Sequence, residues 1–152
     1  LEPLQVRNLG FGWDRIENVL WRVYHDELAG IQPEKIVLNI GTNNLLLNTD
    51  EEIVAGLAFL LEAIKTRQPK AKIYVLGLYP HRERETRIQQ LNTKIQLMTK
   101  NQGVNYGNIG TVLLQPTGKI DEKLFSDGLH PNAEGYQRLG KTLLAVLNPP
   151  KK

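Results

Sequence analysis

The sequence predicts an α/β fold built around a parallel sheet. Short apolar runs alternate with longer stretches whose apolar residues recur at helical spacing, which is the pattern of β-α units. The run Ile36–Ile40 is almost continuously apolar, as expected for a strand covered on both faces. With 152 residues, of which 41% are hydrophobic and 23% charged, the chain has the size and composition of one globular domain. We expect that domain to occupy residues 1–148, followed by a short tail at residues 149–152.

The first half of the chain contains one further predicted strand, Leu4–Leu9, and two predicted helices. The first helix is indicated by apolar residues at helical spacing: Ile16, Val19, Leu20 and Val23. Asp14, followed three residues later by Glu17, resembles the N-terminal cap of that helix. Thr49 and Glu52 have the spacing of a capping box and predict the start of the second helix.

The second half of the chain repeats the alternation. Strands are predicted over Ile73–Leu78 and Val104–Ile109, and a third helix separates them, with Ile88, Leu91, Ile95 and Met98 on its apolar face. The last helix is predicted to follow Pro131 and to end before Pro149. Its apolar face consists of Tyr136, Leu139, Leu143, Leu144 and Leu147.

Composition excludes several classes of function. The chain has no cysteine, which excludes disulfides, zinc-thiolate sites and a cysteine nucleophile. No apolar run approaches the ~18 residues of a membrane span. The net charge of +3 is spread along the chain, and its densest run, Arg82–Arg87, alternates in sign, so we expect no nucleic-acid partner. The three histidines lack metal-ligand spacing and there is no phosphate-binding loop, so we expect no metal and no cofactor.

Two segments with unusual chemistry follow predicted strands, at the sheet edge where ligands bind in open α/β folds. Gly41–Asn44 follows the Ile36–Ile40 strand, and an asparagine amide there can donate to an oxyanion or simply belong to a turn. In Asp127–Pro131, the spacing of Asp127 and His130 lets the carboxylate reach Nδ1 and leaves Nε2 free to accept a proton. The same residues also fit an Asp-Gly turn that precedes a helix opened by proline.

The third segment, Asn8–Asp14, leads from the first predicted strand into the first helix. Its glycines would let backbone N–H groups approach a ligand, although they also suit a tight strand-to-helix turn. Together the three segments offer an oriented base, an amide donor and a backbone donor at one edge of one sheet. This is the equipment for acyl transfer, with only a nucleophile lacking.

These segments resemble conserved blocks of the GDSL/SGNH esterases, and they occur in the family order. Asn8–Arg22 resembles block II, Gly41–Asn44 block III and Asp127–Pro131 block V. The stretch Glu51–Pro80 is similar to the catalytic subunits of intracellular platelet-activating-factor acetylhydrolase and to related bacterial acylhydrolases. The resemblance implies a flavodoxin-like three-layer α/β/α sandwich.

The resemblance also implies roles for individual residues. His130 would be the general base, Asp127 its orienting partner and Asn43 the side-chain donor of the oxyanion hole. The family's backbone donor is a block II glycine that aligns with Trp13, so Gly12 and Trp13 are the candidates for that donor. In the loop after the Ile73–Leu78 strand, Tyr79 and His81 either contact the substrate or serve only as surface-loop residues.

The family nucleophile lies in block I, Gly-Asp-Ser, which we expect upstream of Leu1. The one serine of this sequence, Ser126, adjoins Asp127 and is expected to be a turn residue. In a flavodoxin-like sheet of order 2-1-3-4-5, the strand that leads to block I is central. We therefore expect this first, central strand to be missing from the chain, and the Leu4–Leu9 and Ile36–Ile40 strands not to pair with each other.

The function expected from this reasoning is a serine esterase that removes a short acyl group, acetyl by resemblance, through an acyl-serine intermediate. The partner would be a small lipid, sugar or other ester, and the resemblance admits a homodimer. The alternative is a non-catalytic binding or partner subunit that keeps the fold without the nucleophile. The sequence does not fix the compartment: likeness to the intracellular acetylhydrolases implies the cytoplasm, whereas a secretion signal before Leu1 would not be visible.

Overall fold

The computed structural model describes residues 5–149 and contains a sheet of three parallel strands. The strands are β1 (Lys35–Leu38), β2 (Lys72–Leu76) and β3 (Asn105–Gly107), hydrogen-bonded in the order β1-β2-β3. This order corresponds to the last three positions of the expected 2-1-3-4-5 sheet. The predicted α/β fold with a parallel sheet is confirmed.

All three strands end earlier than the sequence predicted. Their predicted ends at Ile40, Leu78 and Ile109 lie two residues beyond the last paired residue of β1, β2 and β3, respectively. The apolar pattern continues past each strand because Leu78 and Ile109 stay buried in the core. The backbone nevertheless leaves the ladder there, and Gly41–Asn44 and the Tyr79–His81 loop come shortly after the ends of β1 and β2.

Four helices accompany the sheet: α1 (Ile16–Tyr24), α2 (Asp50–Arg67), α3 (Glu85–Asn101) and α4 (Ala133–Leu147). The predicted capping box starts α2, since Thr49 Oγ1 accepts from the Glu52 N–H at 3.2 Å and Glu52 accepts from the Thr49 N–H at 2.9 Å. Three short 3₁₀ turns lie at Thr42–Asn44, Ile109–Leu113 and Glu122–Leu124.

The core is divided between the two faces of the sheet. Ile73 and Val75 of β2 pack into a large cluster with α1, α2 and α3, whereas Leu76 packs into a smaller cluster with α4 and the 3₁₀ turns. Because successive side chains of a strand point to opposite faces, this alternation produces three layers, helix–sheet–helix. A methyl group added to Gly107 of β3 would lie 2.9 Å from the Val146 side chain, so α4 approaches the sheet closely there.

β1 and β3 are the two edge strands of the sheet within residues 5–149, and β1 is the more apolar of the two. β1 pairs only with β2 in this part of the chain, and Val37 is 38% exposed although β1 is apolar apart from its first residue. In contrast, every residue of β2 after Lys72 is buried. An apolar strand with an unpaired edge is the environment expected if a further strand lay beside β1.

Two local predictions at the N-terminus are wrong. Residues Val6–Leu9 form no strand, while Leu4 lies outside the described residues; Val6 is 53% exposed, and the Asn8 side chain accepts from the Gly10 N–H at 2.9 Å. Such an Asx turn competes with extended pairing.

The predicted cap of α1 is also replaced. Asp14 does not cap the helix, because its carboxylate forms a two-pronged ion pair with Arg22 at 2.7 and 3.0 Å. Arg15 is at the N-cap position, and the first helical N–H, that of Ile16, donates to Asn44 Oδ1 at 3.0 Å. Over the described part of the chain, no helix has the length and apolar character needed to cross a membrane.

Candidate active site

The turn Ser126–Pro131, which precedes α4, holds the imidazole of His130 against the carboxylate of Asp127. His130 Nδ1 lies 2.7 Å from Asp127 Oδ2. The other carboxylate oxygen, Oδ1, accepts from the backbone N–H groups of Leu129 at 2.9 Å and His130 at 2.7 Å. Among residues 5–149, nothing hydrogen-bonds to His130 Nε2, which is therefore available to accept a proton.

The same hydrogen bonds set the charge of this pair. The His130 N–H first, and then its ring and the Leu129 N–H, hold the pKa of Asp127 far below its ordinary value. The carboxylate thus stays ionised at any working pH and favours the tautomer of His130 that carries its proton on Nδ1. The His130 side chain is 67% exposed and that of Asp127 is 53% exposed, so a substrate can reach them.

The backbone of this turn is closed at both ends. Ser126 N–H donates to His130 O at 2.9 Å, and Phe125 and Pro131 form an antiparallel bridge. At the centre, Gly128 has φ +81°, a left-handed conformation that favours glycine. Asn132 then caps α4 by accepting from its first N–H groups at 3.1 Å. The segment is therefore an Asp-Gly turn before a helix, as one sequence alternative predicted, but Asn132 rather than Pro131 opens α4. The same turn also brings Asp127 and His130 into contact.

Asn43 lies in the 3₁₀ turn that follows β1. Its Nδ2 donates to the Asp14 carbonyl at 2.9 Å, and the side chain is only partly buried. Because an amide NH₂ has two hydrogens, one remains for a ligand. This contact also ties Asn43 to the segment that contains the backbone-donor candidates.

The Gly12–Trp13 segment presents backbone N–H groups at the surface. Within residues 5–149 the N–H groups of Gly12 and Trp13 have no hydrogen-bond acceptor. Trp13 has φ +66° and is 90% exposed. A bulky residue in the left-handed region is uncommon and costs backbone strain. The conformation is the one a glycine would adopt easily, in keeping with the family glycine that the sequence alignment placed at this position.

Sequence reasoning missed two residues that hold this segment in place. Asn44 is 3% exposed and joins three partners, the Ile16 N–H, Glu17 and Asn48, at 2.9–3.0 Å. Arg22 anchors Asp14 and also binds Glu27 at 2.7 Å. The Asn-Asn pair gave a turn signal but no sign of which amide would be buried, and nothing local marked Arg22 as the partner of a residue eight positions earlier.

The loop after β2 contains Tyr79 and His81. Burial raises the pKa of Tyr79 to about 12, so its hydroxyl stays protonated. Burial likewise lowers the pKa of His81, and its Nε2 is buried without a hydrogen-bond partner among residues 5–149. Arg82, the next residue, donates its N–H to Gly128 O at 2.8 Å, which joins this loop to the Asp127–His130 turn.

The structure therefore assembles the candidate residues into two groups at the carboxyl edge of the sheet. One group contains Asp127, His130 and the Tyr79–His81 loop; the other contains Asn43 and the Gly12–Trp13 segment. No hydrogen bond in the described part of the chain joins the two groups directly. Within the same residues, no three His, Asp or Glu side chains converge as a metal site would require.

Comparison with known proteins identifies the family. The model of the GDSL-like lipase/acylhydrolase family matches residues 1–138 of the chain. The chain belongs to this family. Platelet-activating factor acetylhydrolase IB subunit alpha2 of Homo sapiens is 38% identical to this GDSL-like chain over 149 residues, covering 93% of the chain and 63% of that protein.

Two solved structures share the fold of this chain. A Streptococcus pneumonia protein described as a platelet activating factor is 25% identical with a TM-score of 0.84, covering 93% of this chain and 72% of that one. The Clostridium thermocellum family 3 carbohydrate esterase is 24% identical with a TM-score of 0.71, covering 88% of this chain and 65% of that one. The GDSL-like chain spans less than two thirds of the length of its acetylhydrolase relatives.

Proposed function

We propose that this chain carries the base and the oxyanion donors of a serine esterase that removes a short acyl group from a small ester. The observation that carries the proposal is the His130–Asp127 pair, with Nδ1 2.7 Å from the carboxylate and Nε2 free. An imidazole held in this way is oriented to take a proton from a hydroxyl nucleophile. Membership in the GDSL-like lipase/acylhydrolase family supports the same chemistry.

The reaction proceeds in two halves. In the first, a serine hydroxyl attacks the ester carbonyl while His130 Nε2 takes the hydroxyl proton, and the tetrahedral oxyanion accepts hydrogen bonds from Asn43 and from the Gly12–Trp13 backbone. His130 then gives the proton to the departing alkoxide, which leaves the acyl-serine. In the second half, water gives its proton to His130 as it attacks the acyl carbonyl and forms a second tetrahedral intermediate. When this intermediate collapses, the serine oxygen leaves and takes the proton from His130, and the carboxylic acid is released.

The serine nucleophile of this proposal lies upstream of Leu1. Ser126 is a poor candidate because it belongs to the turn of the base itself, where its N–H is bonded to His130 O at 2.9 Å. The open edge of β1 and the greater length of the acetylhydrolase relatives support an upstream strand that leads to the nucleophile.

The acyl group is proposed to be acetyl. The platelet-activating factor acetylhydrolase relatives are named for an acetyl group, and a carbohydrate esterase shares the fold. These two names differ in the alcohol part, which can therefore be a lipid or a sugar. Likeness to the acetylhydrolase subunits is also the basis for proposing a homodimer and a cytoplasmic location.

The test is hydrolysis of p-nitrophenyl acetate by two proteins, the 152-residue chain and the native polypeptide with any residues encoded before Leu1. We expect the native polypeptide to turn over the ester and to be labelled once, on an upstream serine, by an organophosphate. The chain alone should do neither, and Ser126→Ala should leave the activity of the native polypeptide unchanged.

Two other results would count against this proposal. Inhibitor-sensitive turnover by the 152-residue chain would contradict the upstream nucleophile. A folded native polypeptide without turnover or labelling would favour the alternative, a non-catalytic subunit with this fold.

A further inference from the structure

The Asp127–His130 turn is contacted by a residue of another loop that has no role in the proposed reaction. Arg82, in the loop after β2, contacts Gly128 at the centre of the turn in two ways. Its backbone N–H donates to Gly128 O at 2.8 Å. Its guanidinium also covers Gly128, because a Cβ built on that glycine would lie 2.6 Å from Arg82 Cζ and 2.8 Å from Nη2.

The guanidinium is itself held in a fixed orientation by Glu122. Arg82 Nε donates to Oε1 at 2.8 Å and Nη2 donates to Oε2 at 2.7 Å, which is the two-pronged geometry of a strong Arg–carboxylate pair. Glu122 begins the 3₁₀ turn Glu122–Leu124 that immediately precedes the Asp127–His130 turn. One residue thereby connects the loop after β2 with both segments.

Stability alone gives little reason for this arrangement. Both side chains of the pair are about half exposed, at 53% and 52%, and exposed ion pairs contribute little to folding. The turn that Arg82 contacts, in contrast, carries two exposed side chains whose relative position must be kept within a fraction of an ångström for proton transfer. A misplacement of about 1 Å at such a site can lower a rate by roughly 10²-fold.

We infer that Arg82, oriented by Glu122, is a positioning residue that holds the Asp127–His130 turn in its productive geometry. The inference rests on the proposed function, since it assigns Arg82 to the same reaction. Gly128 contributes to this arrangement in two ways. It adopts the left-handed conformation of the turn, and because it has no side chain it leaves room for the guanidinium.

The test uses Arg82→Met and Arg82→Lys in the native polypeptide. The matched control is Arg138→Met, which removes another exposed arginine paired with a glutamate, Glu134, at 2.6 Å on α4. Two readouts are needed: kcat and KM for p-nitrophenyl acetate, and the ¹⁵N shifts of the His130 ring, which report the fraction of the tautomer protonated on Nδ1.

We expect Arg82→Met to lower kcat by roughly 10- to 100-fold with little change in KM, and to reduce that tautomer fraction. Arg82→Lys should lose most of the same activity, because an ammonium group cannot cover Gly128 and bind Glu122 as a fork. Arg138→Met should change neither readout. Ring shifts in Arg82→Met equal to those in Arg138→Met would overturn the inference.

The ring shifts separate this inference from the proposed function. If the wild-type protein has no esterase activity, a loss of the Nδ1 tautomer in Arg82→Met alone still supports the positioning role. Unchanged shifts refute that role whatever the activity.

Glu122→Gln covers the case in which Arg82→Met does not fold, because it keeps Arg82 and removes the charged partner that orients the guanidinium. The fraction of the Nδ1 tautomer should fall in Glu122→Gln, and an unchanged fraction would overturn the inference.

A further pair of variants tests the contact with Gly128. Gly128→Ala should lower the fraction of the Nδ1 tautomer more when Arg82 is present than in a protein that also carries Arg82→Ala. The reason is that the new Cβ meets the guanidinium only when Arg82 is present. Equal effects in both backgrounds would show that the guanidinium does not press on Gly128.

Discussion

At the scale of single residues, Asp127 illustrates how few atoms set the chemistry of the site. Its two oxygens accept three hydrogen bonds from groups within three residues of itself. The pKa of this carboxyl is consequently far below its ordinary value, and the stabilisation it gives the turn is present at neutral pH and lost only in strong acid. Loss of activity at mildly acidic pH would therefore not report protonation of Asp127.

Asn43 offers a test of the oxyanion hole. Asn43→Ala in the native polypeptide should lower kcat for p-nitrophenyl acetate by roughly 10²–10³, the usual scale for one oxyanion donor. KM should change little because the contact strengthens in the transition state. Asn101→Ala, at the exposed end of α3, is the control. A large rise in KM at constant kcat would instead make Asn43 a substrate-binding residue.

The sequence predicts a contact between two residues where their spacing alone creates it. Asp127 and His130 are three positions apart, and a turn closes that distance, so their pairing follows from local geometry. Arg82 and Gly128 are 46 positions apart, and their contact depends on the return of the chain after β3. No local pattern encodes such a contact, and the charge run that contains Arg82 looked like an ordinary solvated face.

At the scale of elements, the loop after β2 is fixed by one buried asparagine of α3. Asn92 is 5% exposed; its Oδ1 accepts from the Leu78 N–H at 2.8 Å and its Nδ2 donates to the Leu78 carbonyl at 3.0 Å. The side chain thus replaces the ladder partner that β2 loses when it leaves the sheet. The loop that contains Tyr79, His81 and Arg82 starts from this anchor.

Removing the anchor should be costly. Asn92→Ala leaves a buried N–H and a buried carbonyl of Leu78 without partners, at about 1–3 kcal/mol for each group. We expect the free energy of unfolding, measured with urea, to fall by about 2–6 kcal/mol. Asn101→Ala on the same helix is the control and should lose little. A change below that of Asn101→Ala would show that the loop does not depend on this anchor.

The elements themselves differed in how well the sequence predicted them. The capping box of α2 was predictable because its two partners are three residues apart. The start of α1 was not, because its first N–H, that of Ile16, donates to Asn44 from a different segment, while the Asp14 carboxylate pairs with Arg22. The strands were predicted to end too late, because apolar residues stay buried after the ladder hydrogen bonds stop.

At the scale of the whole molecule, the parallel order β1-β2-β3 places the segments that follow these strands at one edge of one sheet. Asn43 follows β1, the Tyr79–His81 loop follows β2, and the Asp127–His130 turn precedes α4 on the far side of β3. Three parallel strands can bring together residues from distant parts of the sequence only because each ends at the same edge. The fold class and this convergence followed from the β-α alternation.

The central claim is that His130, oriented by Asp127, is the general base of an esterase. The most direct test is kcat for p-nitrophenyl acetate in His130→Ala of the native polypeptide, beside Asp127→Ala and the control His25→Ala on α1's exposed end. We predict a loss of roughly 10⁴-fold for His130→Ala, a smaller but strong loss for Asp127→Ala and none for His25→Ala, with all three proteins folded. A kcat for His130→Ala near that of the wild type would contradict the account.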